Sequence, residues 1–311
     1  MATLKEQSKQ EELFTGGHRL CAGCGIPPIV RTVFRNYDTP IVASVATGCL
    51  EVATTVYPYT SWKVPLIHSA FENSAATISG VETAYRALKK RGKIPADKKI
   101  KFIAFGGDGG TYDIGLQSLS GALERRHNFL YLCYDNGAYM NTGVQRSSAT
   151  PFGSATTTSP AGSVVPGKQE RRKDLTRIVV AHNVEYAAQG SPHNWSDLSR
   201  KTSKAIAVEG PTFLNIISPC PLGWYSKPQD SIQLAKLAVE TCYWPLYEVE
   251  KGVLKVNYKP KEKKPVAEWL KVQGRFKHLF MPGNESMLED IQKNIDDEWA
   301  TLLALDGKHL Y

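Results

Sequence analysis

The run Gly106-Gly107-Asp108-Gly109-Gly110 constrains this chain more than any other stretch. It follows the apolar run Lys101 to Phe105, which reads as a strand covered on both faces. It precedes Tyr112 to Arg126, where Ile114, Leu116, Leu119, Ala122 and Leu123 recur at helical spacing. A glycine-rich turn between strand and helix lets backbone N–H groups close on a phosphate, and the helix adds its positive end. An acid inside such a turn repels phosphate unless a divalent cation lies between them. Asp108 therefore implies Mg²⁺ bridging a carboxylate and a diphosphate. Two rival glycine motifs fail on the letters. No Gly-Lys-Ser/Thr follows for a P-loop, and G-x-G-x-x-G from Gly107 needs glycine where Tyr112 stands.

Around this turn, short β-branched runs alternate with helical patterns, the mark of a mostly parallel α/β sheet covered on both faces. Strands are expected at Ile41 to Ala46, Lys101 to Phe105, Phe129 to Tyr134 and Thr212 to Ile217. Helices are expected at Ala70 to Lys90, Tyr112 to Arg126, Asp174 to Asn183 and Trp195 to Val208. With 311 residues, 42% of them apolar, the chain can bury a large core and is not a disordered one. The segment Asn136 to Lys168 breaks the rhythm, crowded with Ser, Thr, Gly and Pro. Directly after a core strand, it reads as a folded loop over a site. A main domain over residues 1–250 is expected, with residues 251–311 as a C-terminal arm packed on it or on a partner.

The net charge of +8 is spread along the chain. Its two clusters, Lys168 to Lys173 and Lys259 to Lys264, read as solvated helix ends and a linker. No basic and aromatic pattern points to nucleic acid. No apolar run is long enough to span a membrane. The polar stretch Met1 to Glu12 does not read as a secretory signal, so a cytoplasmic location is expected.

A second acid-amide element stands twenty-eight residues beyond Asp108, in Tyr134-Asp135-Asn136-Gly137-Ala138-Tyr139-Met140-Asn141-Thr142. Adjacent parallel strands would bring Asp108 and Asn136 to one carboxyl edge of the sheet, where open α/β folds bind ligands. An Asp oxygen, an Asn amide oxygen and a loop carbonyl form a hard shell suited to Mg²⁺. Separately, Cys21-Ala22-Gly23-Cys24, Cys49 and Cys220 supply four thiolates flanked by small residues. That set suits either Zn²⁺ or a [4Fe–4S] cluster. Cys133, in a strand, and Cys242, in a helix, read as buried apolar residues. His68 reads as a structural histidine, and no histidine shows ligand spacing.

Gly-Asp-Gly, a helix, a strand and then Asn resembles the thiamine diphosphate signature. The stretches Leu20 to Gly25, Ala46 to Val52, Tyr57 to Asn73, Gly106 to Glu124 and Tyr134 to Pro151 resemble the beta subunit of pyruvate:ferredoxin oxidoreductase (pyruvate synthase), within the 2-oxoacid:ferredoxin oxidoreductases. The likeness runs from about Leu13 through Trp224 and recurs weakly at Trp269 to Phe280. It implies a doubly wound sheet of the thiamine-diphosphate type. It implies Mg²⁺ held by Asp108, Asn136 and the Ala138 carbonyl, with Gly107, Gly109 and Gly110 lining the diphosphate. Cys21, Cys24, Cys49 and Cys220 would hold the [4Fe–4S] cluster. Asn141 and Thr142 match positions beside the thiazolium and substrate, and Glu51 lies near the cofactor.

The activity implied is oxidative decarboxylation of a 2-oxoacid, pyruvate first, with coenzyme A taking the acyl group and ferredoxin the electrons. The activating glutamate and pyrimidine-binding half would come from a separate alpha subunit, and further clusters from gamma and delta (ferredoxin-like) subunits. Members acting on pyruvate usually read Asp-Asn-Glu-Ala at the turn, whereas Gly137 takes the Glu place here. That departure keeps oxalate or another 2-oxoacid beside pyruvate. Two rivals remain: a non-redox thiamine decarboxylase or synthase with a zinc site, and a non-catalytic binding or scaffold module that keeps the fold.

Overall fold

The structure, a computed structural model, describes residues 4–310. Met1 to Thr3 of the leading polar stretch lie outside the described residues, as does Tyr311. Among the described residues eight strands form one sheet: β1 (Ile41–Ala46), β2 (Leu66–Ser69), β3 (Lys101–Gly107), β4 (Leu130–Asp135), β5 (Tyr186–Gly190), β6 (Thr212–Ile217), β7 (Tyr247–Glu250) and β8 (Val253–Val256). Their order is β2-β1-β3-β4-β6-β5-β7-β8. The first six run parallel, and β7 and β8 close one end antiparallel.

Strand alternation divides the core between the two faces. Ile103, Phe105, Leu130, Leu132 and Tyr134 point to one face, against the helix Ile26–Phe34 and Leu198 of the helix Trp195–Ala207. Phe102, Ala104, Tyr131 and Cys133 point to the other, against Ile78 of the helix Ser74–Lys90 and Leu119 of the helix Leu116–Glu124. Period-two packing on both sides is why these strands are apolar at nearly every residue.

The sequence expectations differ from the structure in places. Strands β2, β5, β7 and β8 and the helices Ile26–Phe34 and Ser231–Glu240 were not expected. The expected helix from Tyr112 begins instead as a π-type turn, Gly109–Asp113, before Leu116–Glu124. Cys242 is buried in the turn after the helix Ser231–Glu240, not within a helix. The first basic cluster is not simply solvated. Lys168 is 1% exposed and its Nζ donates to the Thr150 carbonyl at 2.7 Å, while Arg172 pairs with buried Asp135.

The division expected at residue 250 falls inside the β7–β8 hairpin. Beyond it, Trp269, Phe276, Leu279, Ile291 and Ile295 share a third core cluster with Ile217 and Trp224, at the carboxyl end of β6. No described helix is long and apolar enough to cross a membrane.

Candidate functional site

Chain order sets where a ligand can sit. The connection leaving β1 goes to β2 on one side, whereas the connections from β3 onward build the sheet on the other. The crevice outside the carboxyl ends of β1 and β3 is therefore the topological switch point, the preferred ligand position in open α/β sheets. The segments with chemistry leave this one edge: Thr47-Gly48-Cys49 after β1, Asp108 after β3, Asn136 after β4 and Cys220 after β6. One cleft is lined by Cys49, Gly107, Asp108, Gly109, Gly110, Asn136, Ala138, Asn141 and Thr142, together with Thr47, Phe71 and Tyr139. A separate cavity of about 210 Å³, around Arg172, Tyr243 and Trp244, gathers none of the motif residues.

The oxygen side of the site follows from strand register. Gly107 pairs with Tyr134 across β3 and β4, which sets Asp108 beside the turn at Asn136. The Asn136 N–H donates to Asp108 Oδ1 at 3.2 Å, and Ser147 Oγ donates to Asp108 Oδ2 at 2.5 Å. Burial, and then the Asp135 carboxylate, hold Asp108 well above the usual carboxylate range. Asp135 itself accepts from Tyr112 Oη and Arg172, each at 2.6 Å. The Asn136 side-chain NH₂ donates to Asp108 Oδ1 and to the Ala138 carbonyl, each at 2.9 Å. With that amide rotated, an Asp oxygen, an Asn amide oxygen and a backbone carbonyl oxygen would face one cation. Neighbouring ligands on an octahedral Mg²⁺, with bonds of about 2.0–2.1 Å, lie about 2.9 Å apart. The donor set fits that ion.

Beside these groups, other parts of the chain pack directly onto the glycines of the turn. A Cβ on Gly109 would lie 2.3 Å from the Tyr139 ring. The Asn141 side chain hydrogen-bonds to the Cys49 thiol. Thr142 Oγ1 donates to Gln145 Oε1 at 2.5 Å, on the exposed rim.

The sulfur side is assembled from remote segments. The Gly25 N–H donates to the Pro219 carbonyl at 2.9 Å, which clamps the Cys21–Cys24 turn against the loop carrying Cys220. A Cβ on Gly25 would sit 2.7 Å from Pro219, so only glycine permits that approach. Cys220 Sγ accepts from the Gly223 N–H at 3.4 Å, at the start of the helix Pro221–Trp224. Burial pushes the Cys24 thiol up to about 12, and Cys220, Cys49 and Cys21 add to the shift. Burial likewise raises Cys49 to about 12, reinforced by Cys220 and Cys21. The four thiols therefore feel one another. Yet among the described residues no three His, Cys, Asp or Glu side chains converge tightly enough for a single metal ion. Four soft thiols flanked by small residues are a donor set that suits either an iron–sulfur cluster or Zn²⁺.

Glu51 stands apart from this cleft. Its carboxylate hydrogen-bonds His68 Nδ1 at 2.7 Å, across to the end of β2. The sequence reading missed other residues. Ser147 and Arg172 come from the long loop and its end, and their long-range pairing left no local pattern. Trp224 Nε1 donates to the Asn136 carbonyl at 2.7 Å, tying the helix that begins after Cys220 to the oxygen turn. Only its spacing of four residues after Cys220 hinted at proximity.

The chain is similar to known proteins. Residues 46–216 match the family model of the thiamine pyrophosphate enzyme C-terminal TPP binding domain. The chain is 54% identical over 306 residues to pyruvate synthase subunit PorB of Thermotoga maritima, covering 97% of this chain and 94% of that protein. It is 53% identical over 297 residues to pyruvate synthase subunit PorB of Methanocaldococcus jannaschii, covering 95% and 98%. The solved structure of 2-oxoglutarate:ferredoxin oxidoreductase from Magnetococcus marinus superposes with a TM-score of 0.53 at 20% identity, covering 72% of this chain and 79% of that one. That likeness carries the fold alone. The chain belongs to the pyruvate synthase PorB family, the thiamine-diphosphate-binding beta subunits of the 2-oxoacid:ferredoxin oxidoreductases.

Proposed function

We propose that this chain holds Mg²⁺-bound thiamine diphosphate and one [4Fe–4S] cluster, as the beta subunit of an enzyme that oxidises pyruvate to acetyl-CoA and CO₂ and reduces ferredoxin. The observation that carries the reading is the shared sheet edge. The Asp108 carboxylate, the Asn136 side-chain amide and the Ala138 carbonyl converge there, beside a cysteine, Cys49, that belongs to a mutually interacting thiol quartet.

Each residue has a task in this reading. Asp108, Asn136 Oδ1 and the Ala138 carbonyl hold the cation. Without the cation, the Asn136 NH₂ donates to Asp108 Oδ1 and the Ala138 carbonyl. Ser147 and the Asn136 N–H fix the Asp108 carboxylate, an outer layer that orients the ligand. Gly107, Gly109 and Gly110 admit the diphosphate. Asn141, bonded to the Cys49 thiol, stands where the cleft meets the quartet, and Thr142 lines the rim toward substrate. Thiamine supplies an electron sink for decarboxylation. The cluster held by Cys21, Cys24, Cys49 and Cys220 supplies a one-electron acceptor next to it.

The cleft is open on this chain, and nothing in it offers a glutamate for the aminopyrimidine. Glu51 is turned to His68. The alpha subunit carries that glutamate, coenzyme A and the 2-oxoacid bind with its help, and gamma and delta subunits pass the electrons on. Gly137 does not argue against pyruvate. It lines the small cavity beneath the turn with Arg275 and Trp269, not the cleft.

The test is cofactor analysis and a substrate panel on the complex purified through this chain. Thiamine diphosphate, magnesium, iron and sulfide should all be present, with viologen reduction strongest on pyruvate over oxalate and 2-oxoglutarate. Zinc without iron would leave a non-redox thiamine decarboxylase, and faster turnover on oxalate would reassign the acid.

A further inference from the structure

Two arginines border the small cavity under the Asp135–Gly137 turn. Arg172 is neutralised by Asp135 at 2.6 Å. Arg275, only 3% exposed on the 3₁₀ turn Gly274–Phe280, is not. Its Nε donates to the neutral Gln273 Oε1 at 3.0 Å, and among the described residues no carboxylate lies within ion-pair distance. Aromatic faces hold the guanidinium instead: Trp224 at 4.4 Å, Phe276 at 5.0 Å and Trp269 at 5.7 Å. Such faces favour a cation but do not neutralise it. A buried charge without a counter-ion is costly, and guanidinium stays charged near neutral pH. Burial lowers its pKa only to about 10.

The position of Arg275 says which anion it serves. It stacks on Trp224, the last residue of the helix that starts from Cys220. Cys220 packs against the same cluster as Trp224, Trp269 and Phe276, the rings that hold the guanidinium. Asp135, which lines the same cavity, is already paired with Arg172, and Asp108 already has the Ser147 hydroxyl and the Asn136 N–H. Four thiolates outweigh the positive charge of an iron–sulfur core, so the site is anionic, and reduction adds another negative charge. A fixed buried cation beside one thiolate stabilises the reduced form more than the oxidised one.

We propose that Arg275, supplied by the C-terminal segment, raises the reduction potential of the cluster held by Cys21, Cys24, Cys49 and Cys220. The proposal rests on the reading of that quartet as a [4Fe–4S] site. Arg275 is a positioning charge, with no contact to the reacting atoms implied.

An EPR-monitored redox titration of the assembled complex tests it. The signal belonging to this chain is the one lost in Cys24→Ser. In Arg275→Gln that signal should persist with a more negative midpoint potential, while Arg275→Lys, which keeps the charge, should stay closer to the native value. Gln273→Glu offers a second route. It places a carboxylate 3.0 Å from Arg275 Nε and should lower the potential without removing the arginine. An unchanged midpoint in either Arg275→Gln or Gln273→Glu overturns the proposal. So does an equal fall in Arg275→Lys, which would assign the effect to packing. Loss of thiamine diphosphate with an unmoved midpoint would assign the charge to the diphosphate side. Should Arg275→Gln fail to assemble, Gln273→Glu decides alone. Absence of iron and signal from the native complex would instead sink the cluster reading, whatever Arg275 does.

Discussion

The two halves of the site are made in opposite ways. The oxygen half comes from two neighbouring strands, and its geometry is inherited from the register that pairs Gly107 with Tyr134. The sulfur half draws thiols from positions 21 to 220, and loop-to-loop clamps such as Gly25 to Pro219 stand in for register. Electrostatics differ in the same sense. The Asp108 carboxylate already has fixed donors on both oxygens, and in the proposed reading a cation completes its surroundings. The thiols are driven toward their neutral form by burial and by one another, and only metal reverses that. A sheet edge can preorganise a hard site before its ion arrives, whereas a cluster pocket built from loops depends on what it binds. The halves should therefore be separable by mutation.

The largest effects come from removing one ligand on each side. Asp108→Ala should lower thiamine diphosphate retention by more than about a hundredfold, beyond what outer partners cost, and abolish turnover. Its iron content should remain, as cofactor and iron analysis of the same preparation would reveal. Cys24→Ser should do the reverse, with iron lost, thiamine diphosphate kept and viologen reduction gone. If either substitution empties both halves together, the contrast between them is wrong and the site is one cooperative unit.

The contrast also explains what could be read from letters alone. β1, β3, β4 and β6 are the interior strands of the sheet's parallel part, apolar on both faces, and their runs were visible. β5 (Tyr186–Gly190) is just as buried, but Ala187, Ala188 and Gln189 carry no β-branched signal. β2 is an edge strand with exposed Ile67, and β7 and β8 are four residues each, too short for a period to show. Asp108 and Asn136 were legible because consecutive strands fix their relation. Ser147, Arg172, Trp224 and Arg275 were not, because each reaches its partner from a loop or turn whose path tertiary packing decides. Lys168 misled for the same reason, since a basic cluster looks solvated until a loop folds over it.

Smaller changes probe the supports. Ser147→Ala removes the hydroxyl that holds Asp108 Oδ2 and should weaken thiamine diphosphate binding about tenfold, with iron content unchanged. Equilibrium binding of the cofactor to the complex would measure it. Trp224→Phe keeps an aromatic face but leaves the buried Asn136 carbonyl unpaired, at about 1–3 kcal/mol of stability. Because that bond joins the two halves, this variant should loosen thiamine diphosphate and cluster together by a few-fold each. A loss confined to one half would show that the link only supports its own side.

The smallest effect should come from Glu51, and it tests where the cleft ends. Its carboxylate faces His68, which is half exposed, and pairs of this kind contribute about 0–1 kcal/mol. Neither residue lines the cleft that gathers Cys49, Asn141 and Thr142. Glu51→Gln keeps an acceptor for the His68 ring, so cofactor retention should be unchanged and turnover should stay within about twofold, given so small a term. A fall of tenfold or more with both cofactors still bound would mean that the glutamate swings from His68 into the reacting space when the alpha subunit covers the cleft. In that event proximity on this chain alone does not define the oxygen half, and its outer boundary lies at β2.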